Sequence, residues 1–153
     1  METDIETFNL LIRTLPSAWR TAVDRRLRPL GLSQSKWRAV YHAGGSTGPI
    51  TQSDIAERLG IEAPTVVRLL DRLELDGWIE RRPCPKDRRV RHIHLTPKAL
   101  KAYRQIEIVI DEVREQIFSP VTAGELQRCN KVLQKLVESA KEAAVAKQEQ
   151  VDG

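Results

Sequence analysis

Residues 60–82 read GIEAPTVVRLLDRLELDGWIERR, and the spacing within this run describes a helix with two unlike sides. At ~100° per residue, Val66, Leu69, Leu70 and Leu73 share one side, while Thr65, Arg68 and Arg72 fall together on the other. Gly77 ends this helix, and Gly60 ends a shorter one that begins at Thr51, glycine being the residue that enters the left-handed cap without steric cost. Two helices joined by the tight turn Leu59-Gly60-Ile61-Glu62 form a helix-turn-helix, whose second helix lies in the major groove of DNA. The apolar side packs on Ile55, Ala56 and Leu59. The polar side, with Pro64 and Thr65 in its first turn, offers guanidiniums able to reach guanine O6 and N7, and a hydroxyl suited to a phosphate or a thymine methyl. The competing arrangement for Arg68 and Arg72 is intrahelical pairing with Asp71, Glu74 or Asp76.

Immediately downstream the period changes. Trp78–Arg82 and Val90–Leu95 read as two short antiparallel strands, and the proline-stiffened run at 83–89, PCPKDRR, as the loop between them. From Arg81 to Arg91 six basic residues (Arg81, Arg82, Lys86, Arg88, Arg89, Arg91) stand against one acid, Asp87. A loop so dense in like charge repels itself unless an anion meets it, and duplex DNA offers one phosphate per ~1.7 Å.

Further out, helix starts are marked by hydrophobic staples: Leu32-Ser33 with Trp37, Ile50-Thr51 with Ile55, Leu95-Thr96 with Leu100, and Val121-Thr122 with Leu126, the last with Glu125 completing a capping box. GGSTGP at 44–49 is a loop. Pro16 predicts either a kink in a first helix over about 4–29 or a fresh start at Leu15. Two long helices close the chain. One carries the strip Tyr103, Ile106, Ile110, Val113, Ile117; the other carries Leu126, Cys129, Leu133, Leu136/Val137, Ala140, Ala144. With Ile5, Phe8 and Leu11/Ile12 of the first helix, these strips lie outside a self-contained winged unit and are expected to bury one another between two chains. The predicted architecture is mainly α with a small β-wing, one unit over 1–153: a winged helix-turn-helix at 32–97 flanked by dimerisation helices at 1–31 and 98–149.

The 153-residue chain is 41% hydrophobic and 30% charged, as a globular domain is, and its net charge of +4 matters by placement more than by size. No apolar run approaches the ~18 residues of a transmembrane helix, and the acidic start METDIETFNLL lacks a basic region before an apolar one. Two cysteines make no disulfide framework. The expectation is a cytoplasmic protein without membrane contact. No phosphate loop, HExxH, CxxC or Ser/His/Asp arrangement is readable, and GGSTG lacks the lysine of a P-loop, so neither an enzyme nor a cofactor is expected. His92 and His94 share a strand face near Cys84; exposed polar residues on a wing strand account for them, and no metal site is expected. Cys84 lies among Arg82, Lys86 and Arg88, as a redox-sensing thiol would, but no second cysteine lies nearby in sequence and an ordinary loop cysteine is the expectation; Cys129 is expected in the core. Three functions compete: a dimeric sequence-specific regulator, a non-specific architectural DNA binder, and a metal- or redox-sensing protein.

The run at 60–82, followed by PKDRRVRHIHLTPKA at 85–99, resembles the winged helix-turn-helix of the MarR family, and LRPLGLSQSKWR at 27–38 is similar to its SlyA-type subgroup. The resemblance covers most of 11–140 and implies a homodimer on pseudo-palindromic double-stranded DNA, often regulated by small aromatic anions. It also implies that Arg89 of the Asp87-x-Arg89 motif enters the minor groove, positioned by Asp87, and that Arg68 contacts a base or phosphate. Arg20, Ser35 and Trp37 match positions lining an aromatic-carboxylate pocket in the subgroup, although Trp37 also has a core role as a staple. Arg89→Ala is expected to weaken DNA binding with fold and assembly intact, and Arg89→Lys to restore only part, a guanidinium shedding water more readily than an ammonium. Asp87→Ala distinguishes two effects by sign: loss of a negative charge near phosphates tightens binding, whereas loss of pre-organisation weakens it. Weaker binding is the expected outcome in a fluorescence-anisotropy titration.

Overall fold

The structure, a computed structural model, describes residues 1–85, 87 and 90–149. Its elements run α1 (Glu2–Leu27), α2 (Gln34–Gly44), β1 (Ile50–Thr51), α3 (Gln52–Leu59), α4 (Ala63–Leu75), β2 (Ile79–Pro83), β3 (Arg91–Leu95), α5 (Pro97–Phe118) and α6 (Ala123–Glu149). The expected mainly helical fold with a small β-wing is present. The chain divides into two compact units, Met1–Arg114 and the remainder from Glu115.

Pro16 neither breaks α1 nor restarts it: one helix runs through the position. Residues 9–18 are exposed, so the carbonyl that loses its amide partner there can be solvated. A 3-10 turn at Arg28–Leu30 follows, ending at Gly31 with φ 72°. Of the staples, Leu32 with Trp37 and Ile50 with Ile55 are buried pairs, whereas Leu100, Val121 and Leu126 are exposed. The expected capping box of Thr122 and Glu125 opens α6. A second box, not anticipated, opens α3: Asp54 accepts from the Thr51 backbone N–H at 2.8 Å, and the Asp54 N–H donates to Thr51 Oγ1 at 3.3 Å. These bonds hold the Asp54 carboxyl below the usual carboxylate range.

The sheet is antiparallel in the order β1-β3-β2. Its third strand, β1, was not expected, being two residues long. Ile50 stands opposite Ile93, and Ile93 opposite Arg81. Ile50, Ile79 and Ile93 form the buried side of the sheet. Against it lie Val66, Leu70 and Leu73 of α4 with Ile55 and Leu59 of α3, all buried, while Leu69 is half-buried.

In the first unit Ile106, Ile110 and Val113 of α5 are buried within the chain itself, as are Val23 and Leu27 of α1 and Val40 of α2, rather than waiting for a second chain. The Tyr103 ring of α5 stacks on Tyr41 of α2 at 6.2 Å between centroids. Burial and the hydrogen bond to Glu107 push the Tyr103 hydroxyl up to about 12. By contrast, Leu10, Leu11, Ile12 and Leu15 of α1 are exposed, as are Val132, Leu136 and Val137 of α6. Cys129, expected in the core, is exposed too, because α6 buries almost none of its residues within the chain.

Gly44 lies beneath the Tyr103 ring, where an added Cβ would come 2.3 Å from Cδ2. Gly44→Ala is therefore expected to cost ~1–3 kcal/mol as the ring is displaced. Thermal melting checks this, with Gly48→Ala as control, because nothing lies within 4 Å of a Cβ there.

Candidate nucleic-acid interface

Burial of Val66, Leu70 and Leu73 leaves Pro64, Thr65, Arg68 and Arg72 exposed on the opposite side of α4. The tight turn before α4 has Gly60 at φ 64°, and the Glu62 carbonyl accepts from the Thr65 and Val66 N–H groups. Two guanidiniums crossing to helix ends hold α2 against α3. Arg38 Nη2 donates to the Leu59 carbonyl at 2.7 Å, and Arg58 Nη1 donates to the His42 carbonyl at 3.0 Å.

The intrahelical pairing that competes with DNA contact does not form. Asp71 and Glu74 are held by Arg81 Nη1 of β2, at 2.5 and 3.2 Å. Asp76 lies 3.7 Å from Lys36 Nζ of α2. Arg68 and Arg72 thus make no ion pair among the described residues, although three carboxylates lie within about a turn of them. Lys36 and Lys98 also flank the Trp78 ring, their ammonium groups 4.5 and 4.8 Å from its centroid, which anchors the root of the wing to α2 and α5.

On the wing, Arg81 is turned inward and its side chain is 15% exposed. Arg82 is exposed and bonded to Glu80 at 2.8 Å. Arg91 is exposed and so is Asp87, whose carbonyl accepts from the Val90 N–H. Lys86, Arg88 and Arg89 lie outside the described residues. His92 stands opposite Arg82 and His94 opposite Glu80, on the sheet's outer side. Among the described residues no group of three His, Cys, Asp or Glu is arranged to hold a metal ion. Among them, too, no helix is long and apolar enough to cross a membrane.

The three expected pocket residues are not brought together. Arg20 and Trp37 line one cavity of about 280 Å3. Ser35 instead lines a cleft of about 420 Å3 with Arg72 and Lys36. The first cavity also takes Trp19, Arg38, Tyr41, His42 and Arg114, and no carboxylate among the described residues lines it. Helical spacing from Arg20 and Trp37 carries the signal for these: Trp19 adjoins Arg20, and Arg38, Tyr41 and His42 follow Trp37 at one, four and five positions. Arg38 is lowered from its usual pKa by burial and then by Arg20, so the wall is a crowded cationic one. Trp37 Nε1 is buried and has no hydrogen-bond partner among the described residues.

An outward cationic helix beside a basic hairpin defines a winged helix-turn-helix protein. The sequence pattern of the MarR family matches residues 30–90. A solved transcriptional regulator, PA3341, is 36% identical over 88% of this chain and 98% of its own, with a TM-score of 0.80. MepR of S. aureus, solved as a DNA complex, is 25% identical over 86% of this chain and 97% of its own, with a TM-score of 0.74. CouR of Rhodococcus jostii, solved with p-coumaroyl-CoA, shares the fold at 24% identity over 83% of this chain and 88% of its own, TM-score 0.70. The chain belongs to the MarR family of transcriptional regulators.

Burial first, then repulsion by Arg38 and Arg58, lowers the His42 pKa. Between that lowered value and ~6.5, the unfolded chain binds the proton that the folded chain excludes, so stability falls as pH drops through this window. His42→Gln removes this contribution. Urea unfolding at about pH 7.5 and pH 5.5 is expected to show a smaller acid loss for the variant than for the wild type.

Proposed function

We propose that the protein is a dimeric, sequence-specific regulator that lays α4 in the major groove and its basic wing in the minor groove of a pseudo-palindromic operator. The observation that carries this reading is the pair of exposed guanidiniums of Arg68 and Arg72, which make no ion pair among the described residues because the nearby carboxylates are engaged elsewhere. Pro64 and Thr65 stand beside them for backbone and methyl contacts, and Arg82 and Arg91 start the wing's run of charge. Lys86, Arg88 and Arg89 would complete that run, Arg89 being the minor-groove residue and Asp87 its positioner. MepR, a relative at 25% identity, is described bound to DNA, which supports the same partner here.

A second copy of the chain is the natural cover for the exposed leucines and valines of α1 and α6, since such apolar area is rarely left to water. A two-fold dimer also presents two recognition helices to two half-sites about one helical turn apart. The cavity of Arg20, Arg38 and Trp37, with Tyr41 beside them, suits a small aromatic carboxylate: rings for its body and guanidiniums for its charge.

The test is selection of duplexes from a random-sequence library, followed by titration of the enriched and a scrambled duplex at fixed salt. Enrichment of a two-fold repeated sequence, bound as a sedimenting dimer, is the expected result; equal affinity for both duplexes would favour an architectural binder. Arg68→Ala should cost ~1–3 kcal/mol on the enriched duplex and relax preference at one base pair, whereas Arg72→Ala should weaken both duplexes alike.

A further inference from the structure

Among the described basic residues of the wing, Arg81 is the least exposed. Its partner across the sheet is Ile93, whose own partner on the far side is Ile50. Directly opposed residues of an antiparallel pair point to the same side, and both isoleucines are buried, so Arg81 sits at an inward position of the sheet. The charge held there is matched from α4. One atom, Nη1, reaches both Asp71 Oδ1 and Glu74 Oε2, and the backbone N–H of Arg81 donates to Glu74 Oε1 at 3.0 Å. Because β2 is an edge strand, that N–H points away from β3 and has no strand to pair with; Glu74 takes the place of one. Glu74 therefore grips β2 by main chain and side chain at once.

The arrangement runs against simple electrostatics. Two carboxylates on a helix that approaches phosphates repel them, and a cation tucked under the sheet forgoes their attraction. We propose that Arg81, Asp71 and Glu74 form a positioning clamp. It fixes the angle between α4 and the wing so that major-groove and minor-groove contacts fall in register, and Arg81 itself does not touch DNA. This rests on the DNA-binding reading above. In that setting the clamp removes, before binding, a hinge motion that would otherwise have to be frozen on the operator. It also keeps Asp71 and Glu74 from neutralising Arg68 and Arg72.

The experiment compares Asp71→Asn, Glu74→Gln and Arg81→Ala on the duplex that wild-type protein enriches from a random library and on a scrambled duplex, over a salt series. Charge alone predicts that both acid-to-amide variants bind both duplexes more tightly. The clamp predicts the opposite sign on the enriched duplex, a loss of about tenfold, with scrambled binding unchanged or tighter. Arg81→Ala should show the same loss with its salt slope unchanged. A slope lower by about one would instead mark Arg81 as a phosphate contact and overturn the proposal. Equal or tighter binding of the enriched duplex by Asp71→Asn and Glu74→Gln would overturn it as well. Melting curves confirm folding, and the two acids are partly exposed, at 50% and 40%, so their amide variants give an answer even if Arg81→Ala unfolds. If wild-type protein enriches no duplex, the DNA reading falls and the clamp with it, a result distinct from wild-type enrichment followed by tighter-binding variants.

Discussion

The rotational phase of α4 is the constraint on which the interface depends. Burying Val66, Leu70 and Leu73 is favourable by ~1.5–3 kcal/mol for each side chain, and turning the helix by one residue, ~100°, would lift that surface into water. Once the phase is set, every other direction on the helix follows. Positions 64, 65, 68 and 72 look outward, and 71 and 74 look sideways to β2. That Arg68 and Arg72 make no ion pair among the described residues is thus a consequence of packing elsewhere on the helix.

Cations on carbonyls and rings do much of the remaining joining. Helix C-termini leave unsatisfied C=O groups, and here Arg38 and Arg58 each bond one at the end of a neighbouring helix. Lys98 donates to the Asp76 carbonyl just beyond α4 while its ammonium also lies over Trp78. The links tie α2, α3, α4 and α5 through side chains long enough to bury their stems and keep their charges hydrated. An excess of basic residues in such a chain is therefore only partly a surface for an anionic partner; a share of it is internal bracing.

Much of this was legible in the sequence because it obeys local rules. The 3.6-residue period assigned the two sides of α4, and glycine punctuation marked Gly60 and Gly77, both with positive φ. What stayed hidden depends on register or on distant partners. β1 is a strand only because β3 lies beside it, since two residues carry no period. Arg81 looked like the other wing arginines, and only its pairing opposite Ile93 turns it inward. Ile106, Ile110 and Val113 formed a strip that wanted a partner, but a strip cannot say whether that partner is in the same chain; α5 meets it within its own unit. Ser35 and Trp37 are two residues apart on one helix, a separation that points side chains in different directions, and they duly line different cavities.

The placement of the three tryptophans has a spectroscopic consequence. Trp19 and Trp37 line the same cationic cavity, whereas Trp78 lies at the wing root with two ammonium groups 4.5 and 4.8 Å from its ring centroid. Intrinsic emission therefore arises from two separate places in the fold, one at the cavity and one where the hairpin joins the helices. Retaining one set of indoles and replacing the other by phenylalanine would give a protein that reports, without any added label, on either place alone.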